Sequence, residues 1–206
     1  MKATIDVPES LNEISLKQYQ RFLQMSEIME GDMLNQKMVS IFCSIPFRDS
    51  LMIKRKDIVS TANEISSLFE KEQELQRTFK IGKVEFGFIP SLEDITAGEF
   101  SDLDTYLGDW QEMHKAMAVL FRPITKKIGD KYLIEDYEGS AKYSELMQFA
   151  PLGAVMGAVV FFYRLSKELA SHSLASLQEE ILQEAESMGQ LTNLVKSGAG
   201  TEASML

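Results

Sequence analysis

The sequence predicts a mainly α-helical fold, with one helical domain that carries one or two small β-hairpins and a long C-terminal helix. Apolar side chains recur at three- and four-residue spacing along most of the 206 residues, which is the pattern of amphipathic helices. Two short runs alternate instead in steps of two around a glycine-containing dipeptide, which predicts hairpins. An apolar run at 152–163 opens the longest helical pattern and predicts a buried central helix.

The first part of the chain predicts an extended arm and three helices. Ser15 has the position of an N-cap, and Gln18 three residues later completes a capping box. Helical spacing and the breaks at glycine and proline place the helices at 15–29, at 33–45, and from Asp57 or Ser60 to about 76. A hairpin near 79–89 follows, and its Gly82-Lys83 centre predicts a type II′ turn.

The central stretch, 85–124, predicts a strand end followed by two helices joined by a tight corner. Thr96 and Glu99 form a second capping box for a helix that ends near Gly108. The next helix is predicted at 110–121, where Asp109 would cap its start and Pro123 would stop it.

The rest of the chain predicts a second hairpin at 128–134, a short helix at 143–149 and a helix from Pro151 to about 188. Twelve apolar residues at 152–163 are too few to span a bilayer, since a membrane-spanning helix needs about 20. We therefore expect a core domain at 1–169, an amphipathic helical extension at 170–196 and a disordered tail at 197–206.

Composition excludes several classes of protein. The net charge of −10 and the absence of a long basic stripe disfavour nucleic acid as a partner. The single cysteine excludes an internal disulfide framework and is typical of a reducing compartment. The polar N-terminus lacks the pattern of a signal peptide. We expect no membrane association and a location in a cytoplasm.

No catalytic constellation is recognisable. The chain lacks a phosphate-binding glycine loop, paired cysteines, an HExxH zinc motif and a nucleophile elbow, and it has only two histidines. We therefore expect no enzymatic activity, no cofactor and no metal.

Three features of the central stretch are candidates for a role in binding. His114 has either a structural bond to Asp109 or Asp104 or a functional role, and Arg122 either bonds the last helix carbonyls or binds a partner's carboxylate. Six acids without an intervening Lys or Arg give a negative field that suits a basic partner surface. These acids are Glu93, Asp94, Glu99, Asp102, Asp104 and Asp109.

Four phrases carry a resemblance to a known family: FGFIPSLEDITAGEFSDLDTY, DWQEMHKAMAVLFRPI, DKYLIEDYEG and GAVVFFYRLSKEL. They resemble small proteins that tailed bacteriophages encode near their tail genes, called tail or baseplate-hub assembly chaperones or uncharacterised structural proteins. The resemblance runs from Ser15 to about Leu169. The family-typical positions are Phe88, Ile89, Pro90, Asp94, Asp104, Tyr106, Trp110, Met113, His114, Arg122 and Pro123.

The resemblance implies a non-enzymatic assembly chaperone that binds a tail or baseplate protein, with a minor structural subunit of the virion, such as a ring near the portal or tail, as the alternative. Its partner would be a phage structural protein, in the host cytoplasm or in the virion. We expect the binding to use Met-rich and aromatic helix faces, with a further pairing to a partner or a second copy through the C-terminal helix. The candidate partner-binding residues are Phe88, Pro90, Asp94, Asp104, Tyr106, Trp110, His114, Arg122, Leu174, Leu177 and Ile181.

Overall fold

The computed structural model describes residues 5–165 and 167. The chain divides into two compact units, Met1–Phe161 and Phe162–Leu206. In the second unit, the described residues 162–165 and 167 are helical. All contacts discussed below lie within the first unit. The predicted extension at 170–196, the predicted tail at 197–206, and the candidates Leu174, Leu177 and Ile181 lie outside the described residues.

The described fold combines helices with a sheet. About half of it is helical, in eight helices beside one four-stranded antiparallel sheet. Seven helices are α1 (Leu16–Ser26), α2 (Gly31–Phe42), α3 (Phe47–Ser50), α4 (Arg55–Phe69), α5 (Ala97–Tyr106), α6 (Met113–Leu120) and α7 (Ser144–Met147). The eighth, α8, begins at 152. The prediction of a helical domain with hairpins is thus confirmed in part.

The sheet joins both predicted hairpins into one structure. Its strands are β1 (Thr78–Ile81), β2 (Val84–Phe88), β3 (Phe121–Ile128) and β4 (Lys131–Ile134), in the order β1-β2-β3-β4. Gly82 has φ +59 at the first turn position, as a type II′ turn requires. The link that the sequence did not predict is the β2–β3 pairing, in which Gly87 lies opposite Arg122.

The largest correction concerns residues 110–124. The helix predicted at 110–121 is shorter, because α6 begins at Met113 and Phe121 already has extended backbone. Pro123 therefore lies within β3, where the strand bulges between Ile124 and Lys126. Arg122 does not bond helix carbonyls, because its backbone is part of the strand and its side chain pairs elsewhere.

Local helix signals were predicted more accurately. Both capping boxes are present, with Gln18 bonded back to Ser15 and Glu99 bonded back to Thr96. The helix predicted to reach about 76 ends at Phe69, and α3 was not predicted. The short helix predicted at 143–149 is a 3₁₀ turn at Ser140–Lys142 followed by α7.

The core lies between the sheet and the helices. Phe86 and Phe121 are fully buried, and Phe121 packs on Phe79 at 4.8 Å and on Phe88 at 5.3 Å between ring centroids. The backbone around Ile14 is bonded to the start of α8, because Leu152 N–H donates to the Ile14 carbonyl at 2.8 Å. No described helix has the length and apolar character that crossing a membrane requires.

Candidate partner-binding cavity

An open cavity of about 450 Å³ lies where the chain after β2, the start of α5, strand β3 and the chain after β4 come together. Ile89 and Pro90 come from the chain just after β2, and Arg122 comes from β3. Its acidic lining residues come from three different segments. They are Asp94, Glu99, Glu135 and Asp136. We call this feature the acidic cavity.

A buried ion pair forms part of the cavity wall. Glu99 and Arg122 are 4% and 8% exposed, and Arg122 Nη1 donates to Glu99 Oε1. The other carboxylate oxygen of Glu99 accepts from the Thr96 N–H at 2.7 Å and from its hydroxyl at 2.8 Å. One carboxylate therefore caps α5 and anchors the arginine of β3, so it holds helix and strand together.

The pair leaves one donor of Arg122 unused. Its Nε is buried and has no hydrogen-bond partner among the described residues. The guanidinium also lies over the ring of Tyr137, 5.5 Å from the centroid. A buried donor without a partner is costly, and because this Nε has almost no accessible surface, a ligand in the cavity does not reach it.

The ionisation of the cavity wall follows from these contacts. Burial raises the pKa of Glu99, but the Thr96 N–H bond and Arg122 outweigh it, so the net pKa is lowered. The Tyr137 hydroxyl donates to Asp102 and thereby lowers the pKa of that carboxyl group. Burial and the same carboxylate raise the pKa of Tyr137 to about 12. At neutral pH Glu99 and Asp102 are thus ionised and Tyr137 is protonated.

Two carboxylates of the cavity carry uncompensated charge. Asp94 and Asp136 are exposed, and neither forms an ion pair within the part of the chain that the structure describes. Glu135, in contrast, is bonded to Tyr143 and to Lys142. The cavity therefore presents a negative field that attracts a cationic group.

Metal binding finds no support in the described residues. No group of three or more His, Cys, Asp or Glu side chains within 5–165 and 167 has an arrangement that would hold an ion. The exposed carboxylates Asp94 and Asp136 suit an ammonium or guanidinium group.

The structure brings three of the predicted binding residues together and separates the others. Pro90, Asp94 and Arg122 line the acidic cavity. Phe88 is 3% exposed, so its side chain belongs to the core. Asp104 is exposed on α5 and does not line the acidic cavity. The Tyr106 ring faces the Lys115 ammonium at 5.1 Å.

Trp110 and His114 belong to a packing contact with α1. Trp110 packs edge-on against Tyr19 at 5.1 Å, and Gln20 Nε2 donates to the Trp110 carbonyl at 2.8 Å. His114 Nδ1 lies 3.3 Å from Gln20 Nε2, so the expected bond to Asp109 or Asp104 is wrong. Asp109 instead accepts from the Gln111 N–H at 2.8 Å, and Glu112 is the residue that precedes α6.

The expected Met-rich surface is divided between the core and the surface. Met113, Met117 and Met147 are at most 1% exposed, whereas Met33 and Met52 are 56% and 87% exposed, and the other four methionines that the structure describes are half-buried. The three buried methionines cannot contact a partner without unfolding.

Sequence reasoning missed Glu135, Asp136 and Tyr137 as cavity residues. They lie in the phrase DKYLIEDYEG, which is one of the four that resemble the phage family. No local pattern predicts that this segment lies beside Thr96. Only the β2–β3–β4 pairing brings these segments together. No family model, curated protein or solved structure matches this chain.

Proposed function

We propose that this chain is a non-enzymatic morphogenesis protein of a tailed bacteriophage, which binds a tail or baseplate protein as an assembly chaperone. The acidic cavity is the binding surface, and a basic segment of the client is its ligand. The proposal rests on the phage-type phrases of the sequence together with the position of three family-typical residues, Pro90, Asp94 and Arg122, in one cavity.

The single observation that carries the binding site is the pair of exposed, unpaired carboxylates in the acidic cavity. Asp94 and Asp136 line the cavity together with the buried Glu99–Arg122 pair. Charge complementarity mainly accelerates encounter and selects the partner.

Capture from infected cells tests this proposal. A tagged full-length chain is expressed during infection, and co-purified proteins are quantified by mass spectrometry. The D94K/D136K variant is expected to lose at least nine-tenths of a phage structural protein that the unaltered chain captures. The control E27K/E70K changes the charge by the same amount at exposed positions away from the cavity.

The outcome against the proposal is equally defined. If the cavity variant captures as much phage structural protein as the control, the acidic cavity is not the binding site. If the unaltered chain captures no phage structural protein at all, the chaperone function itself is contradicted.

The alternative is a minor structural subunit of the virion. It is favoured by exposed apolar side chains on the sheet, since Ile128 and Leu133 are 69% and 61% exposed and suit a permanent contact. Mass spectrometry of purified particles separates the two functions. Many copies per particle support the subunit, and absence from the particle supports the chaperone.

A further inference from the structure

The tip of the β3–β4 hairpin is basic and apolar, although the protein as a whole is acidic. Lys126 and Lys131 are exposed and form no ion pair with any described residue. Ile128 and Leu133 lie between them and line a shallow, largely apolar groove of about 140 Å³. We call these four residues the hairpin surface.

The positive charge extends along this end of the sheet. Residues 80–85 and 126–131 contain five basic side chains against two acidic ones, Glu85 and Asp130, an excess of three positive charges. The basic side chains are Lys80, Lys83, Lys126, Lys127 and Lys131. In a chain of net charge −10, such a concentration marks a surface suited to an acidic partner.

The acidic cavity needs the chemistry that the hairpin surface offers. The cavity has two carboxylates, Asp94 and Asp136, that are unpaired within the part of the chain that the structure describes. The hairpin carries two unpaired ammonium groups, those of Lys126 and Lys131.

We propose that the hairpin surface of one molecule docks into the acidic cavity of a second copy of this chain. One copy cannot do this to itself, because the turn and the cavity residues lie at opposite ends of β4, about 10 Å apart over its four residues. Each copy therefore offers one donor surface and one acceptor site. The contact is head-to-tail and builds a ring or an open filament.

A second copy fits better than an unrelated acidic partner, because every copy of the chain carries one hairpin surface and one acidic cavity. Two ammonium groups meet two carboxylates, and the apolar pair Ile128 and Leu133 gives the contact buried area beyond the charges. This inference needs no client, but it uses the same acidic cavity as the proposed function, so a client bound there would displace the second copy.

Complementation of two surface variants tests the inference. Sedimentation velocity of the purified full-length chain over a concentration series in 50 mM salt is expected to show growing mass. K126E/K131E and D94K/D136K should each abolish that growth. Mixed in equal amounts, they should associate again, because one intact hairpin surface and one intact cavity remain and the two reversed surfaces also carry opposite charges.

Matched controls separate this contact from general charge effects. K54E/K56E changes the net charge as the hairpin variant does, and E27K/E70K changes it as the cavity variant does, in each case at exposed positions. Both control variants should associate like the unaltered chain. Raising salt to 500 mM should weaken association, since screening acts on exposed charges. Circular dichroism checks that each variant is folded. If D94K/D136K is not folded, D94N/D136N is used in its place.

Three results would overturn the inference. The first is that the unaltered chain stays monomeric at all concentrations. The second is that both surface variants still associate, as pairing through the C-terminal helix would give. The third is that the two variants, both folded, form no dimer when they are mixed. Client capture is a separate readout, so a monomeric chain that still captures a client contradicts this inference and leaves the proposed function standing.

Discussion

At the residue scale, the Glu99–Arg122 pair is the contact on which the cavity depends. Both side chains are buried, and the pair joins residues 23 positions apart in the chain. The sequence alone predicted Glu99 as half of a capping box, because that interaction is local. It did not predict the arginine as its partner, because that contact exists only after β3 has paired with β2.

Removing the arginine should be strongly destabilising. In Arg122→Met, the Glu99 carboxylate stays buried without its cation, and we expect a loss of about 3 kcal/mol in the free energy of unfolding. Urea denaturation followed by circular dichroism measures it. Lys127→Met removes one partner of the exposed pair with Glu85, and that control should cost far less, because solvent screens an exposed pair.

A double variant completes the test. In E99Q/R122M the buried charge is gone from both sides, so the double variant should be more stable than Arg122→Met alone. If the double variant is less stable than the single one, the cost of Arg122→Met does not come from an uncompensated carboxylate.

The lowered pKa of Glu99 predicts a dependence of stability on pH. Because its pKa is lower in the folded state, the group stabilises the fold at a pH above its unfolded-state value of about 4.3. This contribution is lost as pH falls through the folded-state pKa. Between pH 7 and pH 3, the unaltered chain should therefore lose more free energy of unfolding than Glu99→Gln does.

Urea titrations at several pH values measure this difference. Asp102 and Glu135 also have lowered pKa values and act alike in both proteins, so their effect cancels in the comparison. Equal losses in the two proteins would show that Glu99 has the same pKa in the folded and unfolded states.

At the element scale, α8 requires glycine where the chain after α4 crosses it. A Cβ on Gly157 would overlap the Glu74 carbonyl oxygen and come within 2.8 Å of its carbonyl carbon. Backbone atoms cannot move aside as a flexible side chain can. The apolar stretch at 152–163 predicted a buried helix with a flat face, and the crossing segment is what occupies that face.

Gly157→Ala should therefore destabilise the protein by about 1–3 kcal/mol through overpacking. Gly98→Ala is the matched control, because Gly98 lies within α5 and its nearest neighbour to a new Cβ is 3.8 Å away. That control should gain about 0.5–1 kcal/mol from helix propensity. Thermal unfolding of both variants measures the contrast. If Gly157→Ala does not change the stability, the segment that crosses α8 lies farther from the helix.

Element identity was least predictable where a helix meets a strand. Met113, Met117 and Leu120 have helical spacing, and Phe121 continues the same stripe. Local spacing cannot reveal that the backbone becomes extended at Phe121. Pairing of Phe121 with Phe88 across the sheet decides it, because the strand gains backbone bonds and aromatic contacts that a further helical turn would lose.

At the scale of the whole molecule, stability should be concentrated where α6 runs into β3. The segment Ala116–Leu120 is buried at every position, and Phe121 continues it with no exposed surface. The hairpin end of β3 is exposed throughout from 125 to 128. Burial of this kind predicts that opening the first region needs global unfolding and that the second opens locally.

Native-state hydrogen exchange measures this contrast. Amides of 117–120 should exchange with a free energy equal to that of global unfolding in urea, and those of 126–128 at least tenfold faster than 117–120. Comparable rates in the two segments would contradict a core centred on α6.

The sequence by itself determined the helix starts at Ser15 and Thr96 and the two glycine turns, since each depends on residues a few positions apart. The burial predicted for 152–163 holds for most of 152–158, whereas 159–162 are half-buried and Tyr163 is 70% exposed. Tertiary structure alone decided that the two hairpins form one sheet, and that Asp94, Arg122 and Asp136 share a cavity. The physical reason is that strand pairing between distant segments selects backbone geometry through hydrogen bonds and packing, which no local pattern encodes.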